Sequence, residues 1–275
     1  MQPVPPDARR QRRAAQLANY RTDENLRRRA SLFEYALPST SPQPMLWDVF
    51  PWSEDQTVLD LGCGNGMWVG ALTGRVPHGI VVGLDISTGM LSALGERHPS
   101  VPRVCADGQV LPLRDDAVDG VLAAWVLYHL PDKRAVLEEI RRVMRAGGCL
   151  IAATNSEVGV PQLDDAIRRS LEATLGRTVQ QWIEPLDFTL ENGAHILRQV
   201  FESVDRTVSE TQFEVPHVEP LLAYVDSIRD PMEAELGGFE FQKFRADLER
   251  RLETTLRHRP LRFARRTAFF VAHDA

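Results

Sequence analysis

The chain has 275 residues, 43% of them hydrophobic and 25% charged, a make-up that fits a soluble globular protein long enough for one large domain with a substantial insertion. Its formal net charge of −6 offers no bulk attraction for a nucleic-acid polyanion, and no run approaches the ~18 apolar residues of a membrane span. The three cysteines, Cys63, Cys105 and Cys149, show no zinc-site spacing, so they are expected to be buried, reduced thiols of a cytoplasmic protein without a metal.

Residues 1–30 depart from the average, with eight arginines against Asp7, Asp23 and Glu24, a net of +5 that leaves −11 for the rest. Arg9 to Tyr20 and Asp23 to Ala36 read as two short helices broken near Arg21-Thr22. Leu17, Tyr20, Leu26, Leu32 and Phe33 give them an apolar side to bury. The arginines are then solvated or paired with acids; the alternative is an arm for RNA or an anionic substrate. No 7–15-residue apolar stretch follows, so the segment is not a signal peptide. Pro38, Pro42 and Pro44 exclude helix and strand alike, which makes residues 1–44 a helical arm with a Pro-rich linker.

From about Met45 to Asn155 strands and helices alternate, the mark of a doubly wound parallel sheet. The first strand, Val58-Leu59-Asp60-Leu61, runs into Gly62-Cys63-Gly64-Asn65-Gly66, where alternate glycines permit φ > 0 and let main chain approach a ligand. A second apolar run, Ile80-Val81-Val82-Gly83-Leu84, ends in Asp85, placed to accept hydrogen bonds from ribose hydroxyls. A dinucleotide fingerprint requires G-x-G-x-x-G, and here the third glycine comes one residue early. Asp60 at the mouth of the loop repels a pyrophosphate and attracts an ammonium or sulfonium group. S-adenosylmethionine, with a ribose and adenine at one end and a cationic amino acid at the other, satisfies both acids.

At this point the chain resembles the class I S-adenosylmethionine-dependent methyltransferases, whose first motif, an acid followed by G-x-G-x-G, stands here as Asp60 to Gly66. The resemblance continues through Val104-Cys105-Ala106-Asp107-Gly108 and a fourth strand from Asp119 that leads into a turn at Tyr128-His129. A helix from Lys133 to Arg145, a Gly147-Gly148 turn and a fifth strand, Cys149 to Thr154, complete it. It covers about 100 residues and is nearest to the group that includes ubiquinone, menaquinone and many small-molecule methyltransferases. It implies an α/β fold with a seven-stranded, mostly parallel, Rossmann-like sheet. It further implies that Gly62, Gly64 and Ala124 hold the methionine end, Asp85 the ribose, and Asp107 with Gly108 the adenine, with Ile86 on the adenine face. Tyr20 is a further candidate, since relatives bring an aromatic from the arm over the cofactor.

Beyond Asn155, Val204 to Val215 and Arg266 to Ala272 read as the terminal strand pair of such a core. Residues 45–275 then form one domain, with helical cap insertions at about 157–188 and 217–259 that carry acceptor choice. Helices are expected around Asp164 to Leu175, Val218 to Ile228 and Phe241 to Arg257, and Trp182, Phe188, Phe239 and Phe241 are candidates for an aromatic wall. Methyl transfer needs in-line placement and exclusion of water, and a base only if the acceptor must lose a proton. His129 is the first candidate for that base, with Tyr128 beside it and His217 following the sixth strand. The expected acceptor is the O or N of a small molecule of specialised metabolism, with oligomeric state open. The alternatives are an RNA methyltransferase guided by the arm, against which the absence of an Asn/Asp-Pro-Pro-aromatic signature counts, and an inactive cofactor-binding regulator.

Overall fold

The computed structural model describes residues 6–37, 53–183 and 185–274. The expected Pro38 to Pro44 linker and the start of the core at Met45 lie outside them. Two helices come first, α1 (Pro6–Asn19) and α2 (Glu24–Ser31), parted at the expected Arg21-Thr22 break and followed by a 3-10 turn, Leu32–Tyr35. The alternating region holds β1 (Thr57–Leu61), α3 (Val69–Arg75), β2 (Ile80–Asp85), α4 (Thr88–Arg97), β3 (Arg103–Cys105), β4 (Val118–Ala124), α5 (Lys133–Val143) and β5 (Met144–Asn155). After it come α6 (Pro161–Leu175), α7 (Gly193–Leu197), β6 (Ser203–Val215), α8 (Glu219–Asp226), α9 (Arg229–Leu236), α10 (Phe241–Leu256) and β7 (Leu261–His273).

The strands form one seven-stranded sheet in the order β3-β2-β1-β4-β5-β7-β6. β1 pairs in parallel with β2 and β4, β2 with β3, and β4 with β5, whereas β7 runs antiparallel to β5 from Leu150↔Ala272 to Asn155↔Thr267. The expected mostly parallel, doubly wound sheet is therefore present. Its strand order reverses beside β1, and in such sheets ligands bind at the carboxyl ends of the strands at that reversal. β1 sits at the centre because it is apolar on both faces: Val58, Leu59, Asp60 and Leu61 are all buried. Asp119 fixes the opposite end of this strand pair, accepting from the Thr57 N–H at 2.7 Å and pairing with Arg145 at 2.6 Å.

Two compact units divide the chain: the described residues of 1–40, 158–185 and 211–265, and those of 41–157, 186–210 and 266–275. In the second, Leu59, Val121, Ile140, Leu150, Phe201 and Phe270 belong to the largest core cluster. In the first, α1 packs on α9, α2 on α8, and α6 on α10, around Leu32, Ile167, Phe213, Leu221, Phe244 and Leu248.

Four details differ from expectation. β5 begins at Met144, because Gly147-Gly148 forms a bulge within the strand: pairing steps from Val118↔Met144 to Gly120↔Cys149. α9 was not anticipated, yet Pro231 lies in its first turn, where a missing N–H costs nothing. Cys105 is exposed, because β3 is a three-residue edge strand and not part of the interior. Phe188 lines no wall; it is fully buried against Phe270, ring centroids 5.9 Å apart, while its carbonyl accepts from the Thr154 hydroxyl.

Candidate functional site

The loop after β1 is shaped by its glycines. Gly62, Gly64 and Gly66 all have positive φ, at 68°, 54° and 79°. The N–H groups of Gly62 and Cys63 both donate to the Leu84 carbonyl, at 2.7 and 3.1 Å, which folds the loop against the end of β2. Gly62 is further required by packing, since a Cβ there would lie 2.3 Å from Cγ2 of Val126. The loop thus touches the segment that leaves β4.

Two carboxylates meet at this loop. Asp60 is 1% exposed, and among the described residues its Oδ2 has no hydrogen-bond partner. Burial raises its carboxyl from the ordinary 3.8 to about 7, and the charge of Asp85 adds to the rise. Asp85 is itself pushed upward by burial, with the Ser87 and Gly64 N–H groups opposing the rise. Its Oδ2 accepts from Gly64 at 2.9 Å and its Oδ1 from Ser87 at 2.8 Å. The capping of α4 falls to Ser87, whose Oγ accepts from the Met90 N–H at 3.2 Å. Asp85 is thereby left as the clasp of the glycine loop.

Asp107 stands just past β3, in a loop joined to the end of β2 by the Ala106 N–H, which donates to the Asp85 carbonyl. Its Oδ1 accepts from the Gln109 N–H at 3.1 Å. Gly108 is buried, and a Cβ there would stand 3.2 Å from Leu61 Cδ1 and 3.3 Å from Leu130 Cδ1. Ile86 and Val110, each shortly after a strand, are exposed apolar residues. Glu139 and Arg142 of α5 hold this loop from below. The Glu139 carboxylate accepts the Leu111 N–H at 2.8 Å, and Arg142 donates to the Leu111 and Leu113 carbonyls. The Arg142 hydrogen bond in turn keeps Glu139 below the usual carboxylate range. Sequence reasoning missed this anchor, because a Glu and an Arg on an amphipathic helix look like any solvated face.

At the end of β4, Ala124 is followed by Trp125, a non-glycine residue at φ +54°. Tyr128 and His129 come next, on a 3-10 turn (Leu127–His129), with ring centroids 4.4 Å apart and both rings half-buried. Lys133 secures the turn from behind, donating to the Leu130 carbonyl and pairing with Asp187 at 2.7 Å. The structure therefore brings Asp60, Gly62, Gly64, Asp85 and Asp107 into one contiguous network, with the segment from Ala124 to His129 touching it at Gly62. Tyr20 and His217 belong to the first unit. There the Tyr20 hydroxyl accepts from Arg29 at 2.6 Å, with the guanidinium over its ring, and His217 is exposed. No group of His, Cys, Asp or Glu among the described residues could hold a metal ion.

A buried carboxylate oxygen without a partner suits a ligand that brings a cation or a donor. Beside it lie a glycine loop and a second acid at the end of β2. This donor set fits S-adenosylmethionine better than a pyrophosphate, which Asp60 and Asp85 would repel. Comparison with known proteins agrees, for residues 59–152 match the methyltransferase domain family. The match to a methyltransferase domain begins within β1, takes in the glycine loop and ends within β5. Over 121 residues it is 31% identical to the malonyl-acyl-carrier-protein O-methyltransferase of Marinomonas sp. strain MWYL1, covering 43% of this chain and 45% of that protein. Over 107 residues it is 36% identical to the demethylmenaquinone methyltransferase of Staphylococcus aureus, covering 38% of this chain and 44% of the relative. The chain thus spans less than half the length of these curated relatives. A candidate type II methyltransferase from Anaeromyxobacter dehalogenans shares the fold at 24% identity, with a TM-score of 0.59 over 84% of this chain and 94% of that one. The matched segment of the methyltransferase domain contains Asp60, the glycine loop, Asp85, Asp107, Ala124 and His129.

Proposed function

We propose that this protein binds S-adenosylmethionine and transfers its methyl group to an oxygen or nitrogen of a small organic acceptor in specialised metabolism. The observation that carries the reading is Asp60: a fully buried carboxylate with an unpartnered oxygen, at the mouth of a glycine loop inside the methyltransferase domain. Such a group is costly to bury unless a ligand answers it. In this reading Asp60 and the backbone of Gly62, Gly64 and Ala124 receive the methionine end, Asp85 the ribose, and Asp107, Gly108 and Ile86 the adenine.

Bound there, the cofactor would supply an activated sulfonium methyl. The chain's own task is then to orient the acceptor, exclude water and, where the acceptor carries a proton, remove it. His129, on the 3-10 turn after β4, is the proposed base, since a neutral imidazole can accept a proton. The nature of the acceptor is supported by the resemblance to the group that includes many small-molecule methyltransferases and by the arm's own pairing. Arg27 bonds Asp23, Arg28 bonds Glu24, and Arg29 bonds Tyr20 and the Ser227 carbonyl. These three guanidiniums have partners within their own unit.

The test is incubation with methyl-labelled S-adenosylmethionine and panels of small phenols, amines, carboxylic acids and, separately, RNA. Label in a small acceptor, together with release of S-adenosylhomocysteine, supports the reading. Label in RNA alone, with a steep salt dependence, refutes the acceptor class.

A further inference from the structure

Trp125 holds a conformation its side chain disfavours. Its φ of +54° lies in the left-handed region, where a Cβ crowds the following carbonyl. Turns of this kind are ordinarily assigned to Gly or Asn, so something must hold the residue there. The holding contacts are specific. Its backbone N–H donates to the Ala153 carbonyl at 2.8 Å, and its indole Nε1–H donates to Asn155 Oδ1 at 3.1 Å. Asn155 is steadied in turn by the Thr267 hydroxyl at 3.4 Å. The indole stacks on Trp68 at 5.5 Å and 17°, and meets the edge of buried Phe269 at 6.3 Å.

The placement of these contacts gives them meaning. Trp68 lies between the glycine loop and α3, as the N-cap residue of that helix, so the stack ties the loop to the end of β4. The neighbours of Trp125 are Ala124, read above as a backbone contact of the methionine end, and Val126, whose side chain fills the space over Gly62. A change in the Trp125 backbone therefore moves both walls of the space between the glycine loop and β4. We propose that Trp125, locked by Asn155 and Trp68, is a positioning residue that sets the spacing of the cofactor's methionine end. The inference rests on the reading given under Proposed function and deepens it.

A generic packing residue would alter stability and leave affinity alone, whereas a positioning residue alters affinity in a folded protein. The experiment compares the dissociation constant for S-adenosylhomocysteine, by titration calorimetry, with thermal stability and near-ultraviolet circular dichroism of the indoles. The proteins are the wild type, Asn155→Ala, Asn155→Asp and Trp125→Phe. Ile140→Val, on the buried face of α5, serves as a destabilised control. Losing the indole hydrogen bond should weaken binding about tenfold in Asn155→Ala and in Trp125→Phe. Asn155→Asp keeps the acceptor oxygen and should bind within about twofold of wild type, and Ile140→Val should lose stability without losing affinity. Wild-type affinity in both Asn155→Ala and Trp125→Phe overturns the inference, as does an equal loss in Asn155→Asp or in Ile140→Val. If Asn155→Ala does not fold, Trp125→Phe against Asn155→Asp decides the matter. Absence of binding by the wild type overturns the functional reading itself, and this inference with it.

Discussion

Asp60 makes the affinity for a cationic ligand depend on pH in a window that can be worked out. Its carboxyl, buried beside Asp85, is raised from 3.8 to about 7 in the unliganded protein. A cation placed against the unpartnered Oδ2 favours the carboxylate, so binding drives a proton off. Below pH 7 that proton must be displaced, and each pH unit then costs about tenfold in affinity. Between pH 7.0 and 5.5, where an α-ammonium stays protonated, the dissociation constant for S-adenosylmethionine should weaken by about fifteenfold. Asp60→Asn should bind weakly and with a nearly flat profile over the same range. The fold responds with the opposite sign. A carboxyl raised in the folded state contributes stability below pH 4 that is lost as pH rises through about 7, on the order of 4 kcal/mol at most. Asp60→Asn should accordingly melt higher than wild type at pH 8 without ligand. Calorimetry in two buffers of different ionisation enthalpy, with thermal melts at pH 5 and 8, reads both effects. A wild-type affinity that is flat from pH 5.5 to 7.0, or a slope equally steep in Asp60→Asn, would refute the reasoning.

Other consequences are simpler to check. Gly62→Ala combines a φ of +68° with a Cβ 2.3 Å from Val126, so it should cost roughly 2–4 kcal/mol in denaturant unfolding and abolish cofactor binding. Glu139→Ala removes the acceptor of the Leu111 N–H and should destabilise by about 1–3 kcal/mol, with a several-fold loss of affinity through the Asp107 loop. His129→Ala should lower turnover about 10²-fold with little change in cofactor affinity if the acceptor needs a base. Replacing Arg9, Arg10, Arg12 and Arg13 together by Gln should leave turnover with a small acceptor within a few-fold.

What could be read in advance was local or periodic. The apolar runs of β1, β2 and β4 and the alternate glycines announce themselves, because a parallel central strand is apolar on both faces and a loop with three positive φ values accepts little else. Asp85 and Asp107 fell out of the same register. What could not be read depends on residues distant in sequence. The left-handed Trp125 is made by Asn155, Trp68 and Phe269, none of which lies within thirty residues except Asn155 at thirty, so no local pattern marks it. The hold of Glu139 and Arg142 on the Asp107 loop is of the same kind. Phe188 looked like a cap residue because it ends the 157–188 insertion, yet Thr154 and Phe270 draw it into the core. Nor does composition reveal that the arm shares a compact unit with residues 158–185 and 211–265, since that grouping arises from helix packing across some two hundred residues.

The most direct test of the account is a calorimetric titration of the wild-type chain with S-adenosylhomocysteine, and in parallel with a nicotinamide dinucleotide, at pH 7.5. One saturable site per chain is expected for S-adenosylhomocysteine, weakened by about 1–3 kcal/mol in Asp85→Ala, with no heat from the dinucleotide. Binding of the dinucleotide in preference to S-adenosylhomocysteine, or an Asp85→Ala variant that binds as the wild type does, would contradict it.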